Sequence, residues 1–161
     1  MLVGILSDTH GRAGAMRAAV QRLQSRGAEQ FLHCGDVGTT EVLDALAGLH
    51  AAFVFGNTDW NRAGLQSHAE HLGIVCFGDF GEFQLDGKSF ALLHGDDAAL
   101  KRRLLDEQRH DYLLQGHTHK ALDTSIGKTR LINPGALHRA AQKTVVLLDT
   151  RKDTVEFLKI A

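Results

Sequence analysis

The feature that most restricts this chain is a repeated event. A short apolar run ends, a small residue or tight turn follows, and the next side chains are ones that bind metal ions. Leu2-Val3-Gly4-Ile5-Leu6 leads into Ser7-Asp8-Thr9-His10, and Phe31-Leu32-His33-Cys34 into Gly35-Asp36. Ala52-Phe53-Val54-Phe55 leads into Gly56-Asn57, Phe90-Ala91-Leu92-Leu93 into His94-Gly95, and Tyr112-Leu113-Leu114-Gln115 into Gly116-His117-Thr118-His119. Runs of this length bounded by glycine read as buried strands. A residue without Cβ beside each polar group lets the backbone approach an ion or a phosphate closely.

Between several of these runs the period changes. Arg12 to Arg26 places Met16, Val20 and Leu23 at helical spacing, Thr40 to Leu49 does so with Val42, Leu43 and Leu46, and Asp97 to His110 with Leu100, Leu104 and Leu105. Strands alternating with helices imply a largely parallel sheet covered on both faces, with ligand groups beyond the carboxyl ends of its strands. The five polar motifs would then meet at one sheet edge. Later segments differ: Thr129 to Asn133, Thr144 to Leu148 and Val155 to Ile160 are strand-like runs separated by turns, and Asp86-Gly87 between two such runs marks a hairpin. The expected fold is therefore α/β, a two-layered mixed β-sandwich flanked by helices, with the metal site at the carboxyl ends of the strands.

A length of 161 residues fits one core, so residues 1–161 are expected to form a single domain. No run of about 18 apolar residues exists to span a bilayer, and the N-terminus has neither the basic lead nor the cleavage site of a secretory signal. Cys34 and Cys76 are too few for a disulfide framework, which fits a reducing cytoplasm. The net charge of −1 supplies no global field for a nucleic acid, and the run Lys101, Arg102, Arg103 reads as a solvated helix face. The ten histidines stand out, because imidazole is both the commonest metal ligand and a near-neutral acid or base.

Each motif alone has an ordinary explanation: Asp-x-His as a helix cap followed by a surface histidine, Gly-Asp or Gly-Asn as a turn. All five in order resemble the calcineurin-like metallophosphoesterase superfamily, with its Asp-x-His, Gly-Asp, Gly-Asn, His and Gly-His-x-His. The length and the Gly-Asn-x-Asp form look like its short bacterial and archaeal phosphodiesterase branch. Asn133-Pro134-Gly135 extends the resemblance towards the C-terminus. Carried over by position, it implies that Asp8, His10, Asp36 and His119 hold one metal and Asp36, Asn57, His94 and His117 the other. It also puts Asn57 and His94 on the phosphate side. This donor mixture suits Mn²⁺ first, with Fe, Zn²⁺ and Ni²⁺ as the other choices, over Mg²⁺ or Ca²⁺. Four metal charges against two carboxylates and a bridging hydroxide leave a positive site able to attract an anionic ester.

The implied activity is a metal-dependent phosphoesterase attacking small phosphodiesters, with monoesters as the other substrate class, through the metal-bridging hydroxide. The position after Gly-Asn, a histidine in many relatives, is Thr58, a very poor acid, and Asp96 stands where short relatives often carry a second histidine. Thr58 and Asp96 are the remaining catalytic candidates, and esters with acidic leaving groups should be favoured. The competing reading is a non-catalytic metal-binding scaffold on the same fold. A homo-oligomer is left open. Trp60 reads as core cover, with stacking on a base or aryl group as the alternative. His33, His50, His68, His71, His110 and His138 read as packing or surface residues, and Cys34 as an inert core thiol.

Overall fold

Central strands that are apolar on both faces need a cover on each side, and the chain provides one by building two sheets back to back. The computed structural model describes residues 1–161. Strands and helices alternate first: β1 (Leu2–Leu6), α1 (Ala13–Ser25), β2 (Gln30–His33), α2 (Thr40–Asp44), β3 (Ala51–Phe53), α3 (Arg62–Leu72) and β4 (Val75–Cys76). A hairpin about Asp86-Gly87 joins β5 (Phe80–Leu85) to β6 (Lys88–Leu93), followed by α4 (Ala98–Glu107) and β7 (Tyr112–Leu114). Strands alone complete the chain: β8 (Leu122–Ile126), β9 (Thr129–Asn133), β10 (Lys143–Asp149) and β11 (Thr154–Ile160).

The first sheet has the order β11-β10-β1-β2-β3-β4, parallel from β1 to β4, with β10 and β11 added antiparallel beyond β1. The second has the order β5-β6-β7-β9-β8, parallel in its middle and antiparallel at both edges. Side-chain alternation divides the core accordingly. Val3, Ile5, Leu32, Phe90, Leu92 and Leu114 fill the space between the sheets. Leu6, Phe31 and Phe53 face α1, α2 and α3 through Met16, Leu23, Leu43 and Leu65. Leu93, Leu113 and Leu131 meet Leu104 of α4 on the outer face of the second sheet. The layering is helix, sheet, sheet, helix, and each fully buried Phe or Leu contributes about 1.5–3 kcal/mol.

Four features differ from the sequence reading. The expected helix Thr40–Leu49 keeps regular α geometry only to Asp44, and its remainder forms tight turns that still bury Leu46. Helix α3 was not expected; it is capped by Asn61, whose side chain accepts the Gly64 N–H, and stopped by Gly73 at φ 73°. The edge on which the motifs converge belongs to two sheets: Asp8, Asp36 and Asn57 follow β1, β2 and β3, whereas His94 and the His117-Thr118-His119 turn follow β6 and β7 of the other layer. Trp60 does not cover core, being 86% exposed. No helix is long and apolar enough to cross a membrane.

Candidate metal centre

The two carboxylates at the centre are built alike. Asp8 lies fully buried, and its Oδ2 accepts the Ser7 hydroxyl at 2.6 Å and the His117 N–H at 3.1 Å. Its Oδ1 turns inward, 3.2 Å from His119 Nε2 and 3.8 Å from His10 Nε2. Asp36 anchors Oδ1 on the Thr58 N–H at 2.9 Å and leaves Oδ2 between His94 Nε2 at 3.2 Å and His10 Nε2 at 3.6 Å. One oxygen of each side chain fixes its position and the other faces the centre.

The imidazoles are oriented from behind, the way metal-ligating histidines usually are. His94 Nδ1 donates to the Cys34 carbonyl at 2.8 Å, and His119 Nδ1 to the Arg139 carbonyl at 3.4 Å, so both rings turn Nε2 inward. His10 Nδ1 meets the Thr58 hydroxyl at 3.5 Å while its Nε2 comes within 3.3 Å of His119 Nε2. Two groups result, Asp8 with His10 and His119, and Asp8 with Asp36 and His94, and within each the ligand atoms lie within 4.8 Å of one another. His117 is exposed outside these groups, its ring edge-on to His94 at 5.1 Å between centroids. Asn57 is exposed at the mouth beside them.

The backbone holds this arrangement in uncommon conformations. Asp8, His10, Asp36, His117 and His119 all have positive φ, from 47° to 68°. Asp and His are among the few side chains that tolerate that region, and such residues concentrate at functional sites. Gly116 permits the closest approach: a Cβ there would collide with Ser7 Oγ and come within 2.6 Å of Asp8 Oδ2.

Electrostatics bear on whether a cation fits. Asp8 Oδ1 and His94 Nε2 are buried and have no hydrogen-bond partner, although each lies 3.2 Å from another inward-facing atom. Lone pairs that converge without hydrogens between them are satisfied by a cation, and buried polar groups are rarely left otherwise. Burial raises the Asp8 carboxyl above its ordinary range, with the Ser7 bond and the histidines only partly opposing it. Burial pushes Asp36 the same way, but His94 and the Thr58 amide outweigh it and hold this carboxyl well below the usual range. His94 is raised despite its burial, chiefly by Asp36. Asp36 therefore keeps its negative charge, and that charge draws a proton onto His94 at the place a cation would take.

One contributor was not singled out in the sequence, and others named there take definite places. Asp59, 2% exposed, accepts the N–H groups of Val37, Gly38 and Gly56 and so ties the Asp36 loop to the Asn57 loop. Its place in Gly-Asn-x-Asp was the available signal. His33 is a buried strut rather than a ligand: its Nδ1 accepts the Gly35 N–H, which leaves Nε2–H to donate to Thr9 Oγ1 at 2.6 Å. His138 packs its ring 5.7 Å from that of His10, at the rim. Cys34 has a thiol raised by burial, as an inert core residue should, while its carbonyl orients His94. Asp96 is exposed, two residues past His94, and its carboxylate has no partner.

Comparison with known proteins gives the family and the fold. Residues 1–153 match the calcineurin-like phosphoesterase superfamily domain. The phosphodiesterase MJ0936 of Methanocaldococcus jannaschii is 27% identical over 157 residues, spanning 94% of this chain and 95% of that one. The structure of an archaeal phosphodiesterase superposes with a TM-score of 0.92 at 25% identity, covering 99% of this chain and 100% of the other. Zn²⁺-bound Vps29 from Entamoeba histolytica shares the fold, with a TM-score of 0.67 at 20% identity over 99% of this chain and 98% of its own. This chain belongs to the calcineurin-like phosphoesterase superfamily.

Proposed function

We propose that the chain is a dinuclear metal-dependent phosphodiesterase. The observation that carries this reading is the convergence of Asp8 Oδ1, Asp36 Oδ2 and the Nε2 atoms of His10, His94 and His119 on one small volume, with Asp8 Oδ1 and His94 Nε2 unpartnered. Asp8, His10, Asp36 and His119 would hold one ion, and Asp36, Asn57, His94 and His117 the other, with Mn²⁺ the best match to these donors and Fe, Zn²⁺ or Ni²⁺ next. Bound there, two divalent ions lower the pKa of a water and clamp the charge that develops as an ester bond breaks.

The residues supply the rest. Only two carboxylates oppose four metal charges, so the site keeps a positive excess that draws in a small phosphate ester. Asn57 and His94 orient the phosphate beside the second ion, and the anchors behind the ligands spare the site reorganisation during reaction. Thr58 supports Asp36 through its amide and His10 through its hydroxyl, and a threonine hydroxyl is too weak an acid to protonate a departing alkoxide. Turnover therefore favours acidic leaving groups. The scaffold reading has less behind it, since only Trp60, Val75, Leu122 and Ile126 are exposed among the large apolar side chains.

Metal-stripped protein, with Mn²⁺ added back, tests the reading on bis-p-nitrophenyl phosphate and p-nitrophenyl phosphate beside an Asp36→Asn variant. Metal-dependent nitrophenol release, faster from the diester and lost in the variant, is expected. A metal-loaded protein inert to both esters would overturn it.

A further inference from the structure

Beside the metal centre lies a second cavity, of about 230 Å³, between the loop that follows β3 and the loop that follows β6. His94 and Gly56 belong to both, so the cavity adjoins the centre. That volume is below the roughly 300–1,000 Å³ of pockets that enclose drug-sized ligands, so it suits one small ester arm. Phe55, Leu93 and Leu100 make part of its wall apolar, and polar or charged residues make most of the rest.

The charges around the cavity do not cancel. Arg62 lies over the Phe55 ring at 4.9 Å and is paired with Asp79 at 2.7 Å. Asp97 accepts the Leu100 N–H at 3.0 Å as the N-cap of α4, so its charge is offset by the helix N-terminus. Asp96 remains, exposed and unpaired on the cavity wall. The other bank of the centre has the opposite sign: Arg12 is two residues from His10, His138 packs on the His10 ring, and the carbonyl of Arg139 holds His119. Neither arginine has a carboxylate partner, and both depress His138, whose pKa burial lowers first.

We propose that this cavity is the subsite for one arm of the diester and that Asp96 selects a small cationic alcohol there, of the amino-alcohol class, against an anionic one. The proposal rests on the phosphodiesterase reading and adds the substrate class. A diester lying across the centre places its cationic arm beside Asp96 and any anionic remainder towards Arg12 and Arg139. Asp96 acts through substrate charge and takes no part in holding metal.

The test uses p-nitrophenyl phosphodiesters whose second arm is 2-aminoethyl, 2-methoxyethyl or carboxymethyl, with Mn²⁺-loaded protein and bis-p-nitrophenyl phosphate as the reference. We expect kcat/KM to fall in that order, with the aminoethyl ester ahead of the carboxymethyl ester on the order of tenfold, as expected for one charge in a partly solvated site. Asp96→Asn should bring the three esters within about twofold, and Asp96→Lys should reverse the order. Because Asp96 is exposed and bonded to nothing, neither change touches the fold. Calorimetric titration with phosphoethanolamine and phosphoglycolate reads the same preference without turnover. Phosphoethanolamine should bind more tightly to the wild type and no more tightly to Asp96→Asn. Equal affinities in the wild type, or a ranking that survives Asp96→Asn, would overturn the proposal. An inert reference ester with Asp96-dependent binding intact would instead overturn the hydrolase reading and leave the subsite standing.

Discussion

Asp59→Asn removes one carboxylate oxygen from a place where three buried donors meet. Oδ2 accepts Val37 N–H at 3.2 Å and Gly56 N–H at 2.8 Å, and Oδ1 accepts Gly38 N–H at 2.8 Å. An amide of the same shape keeps one of these positions and turns its own NH₂ towards the donor or donors at the other. At least one buried N–H then loses its acceptor and faces another donor. A hydrogen bond to a charged group contributes about 1.5–3 kcal/mol and an unsatisfied buried group costs about 1–3, so a loss of about 2–4 kcal/mol is expected. For a chain of this length that is a fall in Tm of roughly 5–15 °C. Thermal unfolding followed by circular dichroism, with metal chelated, measures it. Because Asp59 ties the Asp36 loop to the Asn57 loop, Mn²⁺ affinity by calorimetry should also weaken by about tenfold, near the lower end of what loss of an outer-shell partner costs. A Tm within about 2 °C of the wild type would refute the reasoning, since the three bonds would then not hold these loops.

Three further outcomes follow from the same geometry. Burial pulls the His33 imidazole down to about 3 from an ordinary 6.5, so the folded form stays neutral while the unfolded chain takes up a proton. Stability is then full above about pH 6.5 and lost as pH falls towards 3. Between about pH 6.5 and 5 the wild type should lose about 2 kcal/mol more than His33→Gln in denaturant titrations, and equal losses would contradict this account. Mn²⁺ at about a hundred times its dissociation constant should raise Tm by roughly 5–10 °C, and by far less in Asp36→Asn. Gly116→Ala drives a methyl into Ser7 Oγ and Asp8 Oδ2, so its Mn²⁺ affinity should fall by at least tenfold, on the order of 1.4 kcal/mol.

Much of the fold was legible because burial on both faces leaves strands uninterrupted by polar residues. β1, β2, β6 and β7 are such strands, and their glycine-bounded ends carry the ligand candidates. α3 escaped because it buries only Leu65 and Ala69, too little for an apolar stripe, although Asn61 and Gly73 marked its ends. β8 escaped because all five of its residues are exposed; it is held by its ladder to β9 and by the Arg130–Asp123 pair, neither of which shows as hydrophobicity. The division into two sheets was hidden as well, since apolar runs do not say which neighbour they pair with. At the centre the ligand candidates could be read from residue type and order. Of Asp59 only its place in Gly-Asn-x-Asp gave notice, and the Cys34 and Arg139 carbonyls gave none, because backbone acceptors have the same chemistry at every position.

The split origin of the centre makes the sandwich a kind of caliper. Asp8, His10, Asp36 and Asn57 ride on one jaw, and His94, His117 and His119 on the other. The gap is set by what lies between the jaws, including a column of rings in which Phe77, Phe83, Phe90 and Tyr112 follow one another at 5.2, 5.4 and 4.9 Å. These rings lie in the layer between the sheets and help to set how far apart the two halves of the candidate centre stand. A change of packing deep in that layer should therefore reach the mouth as a change in the spacing of the candidate ligands.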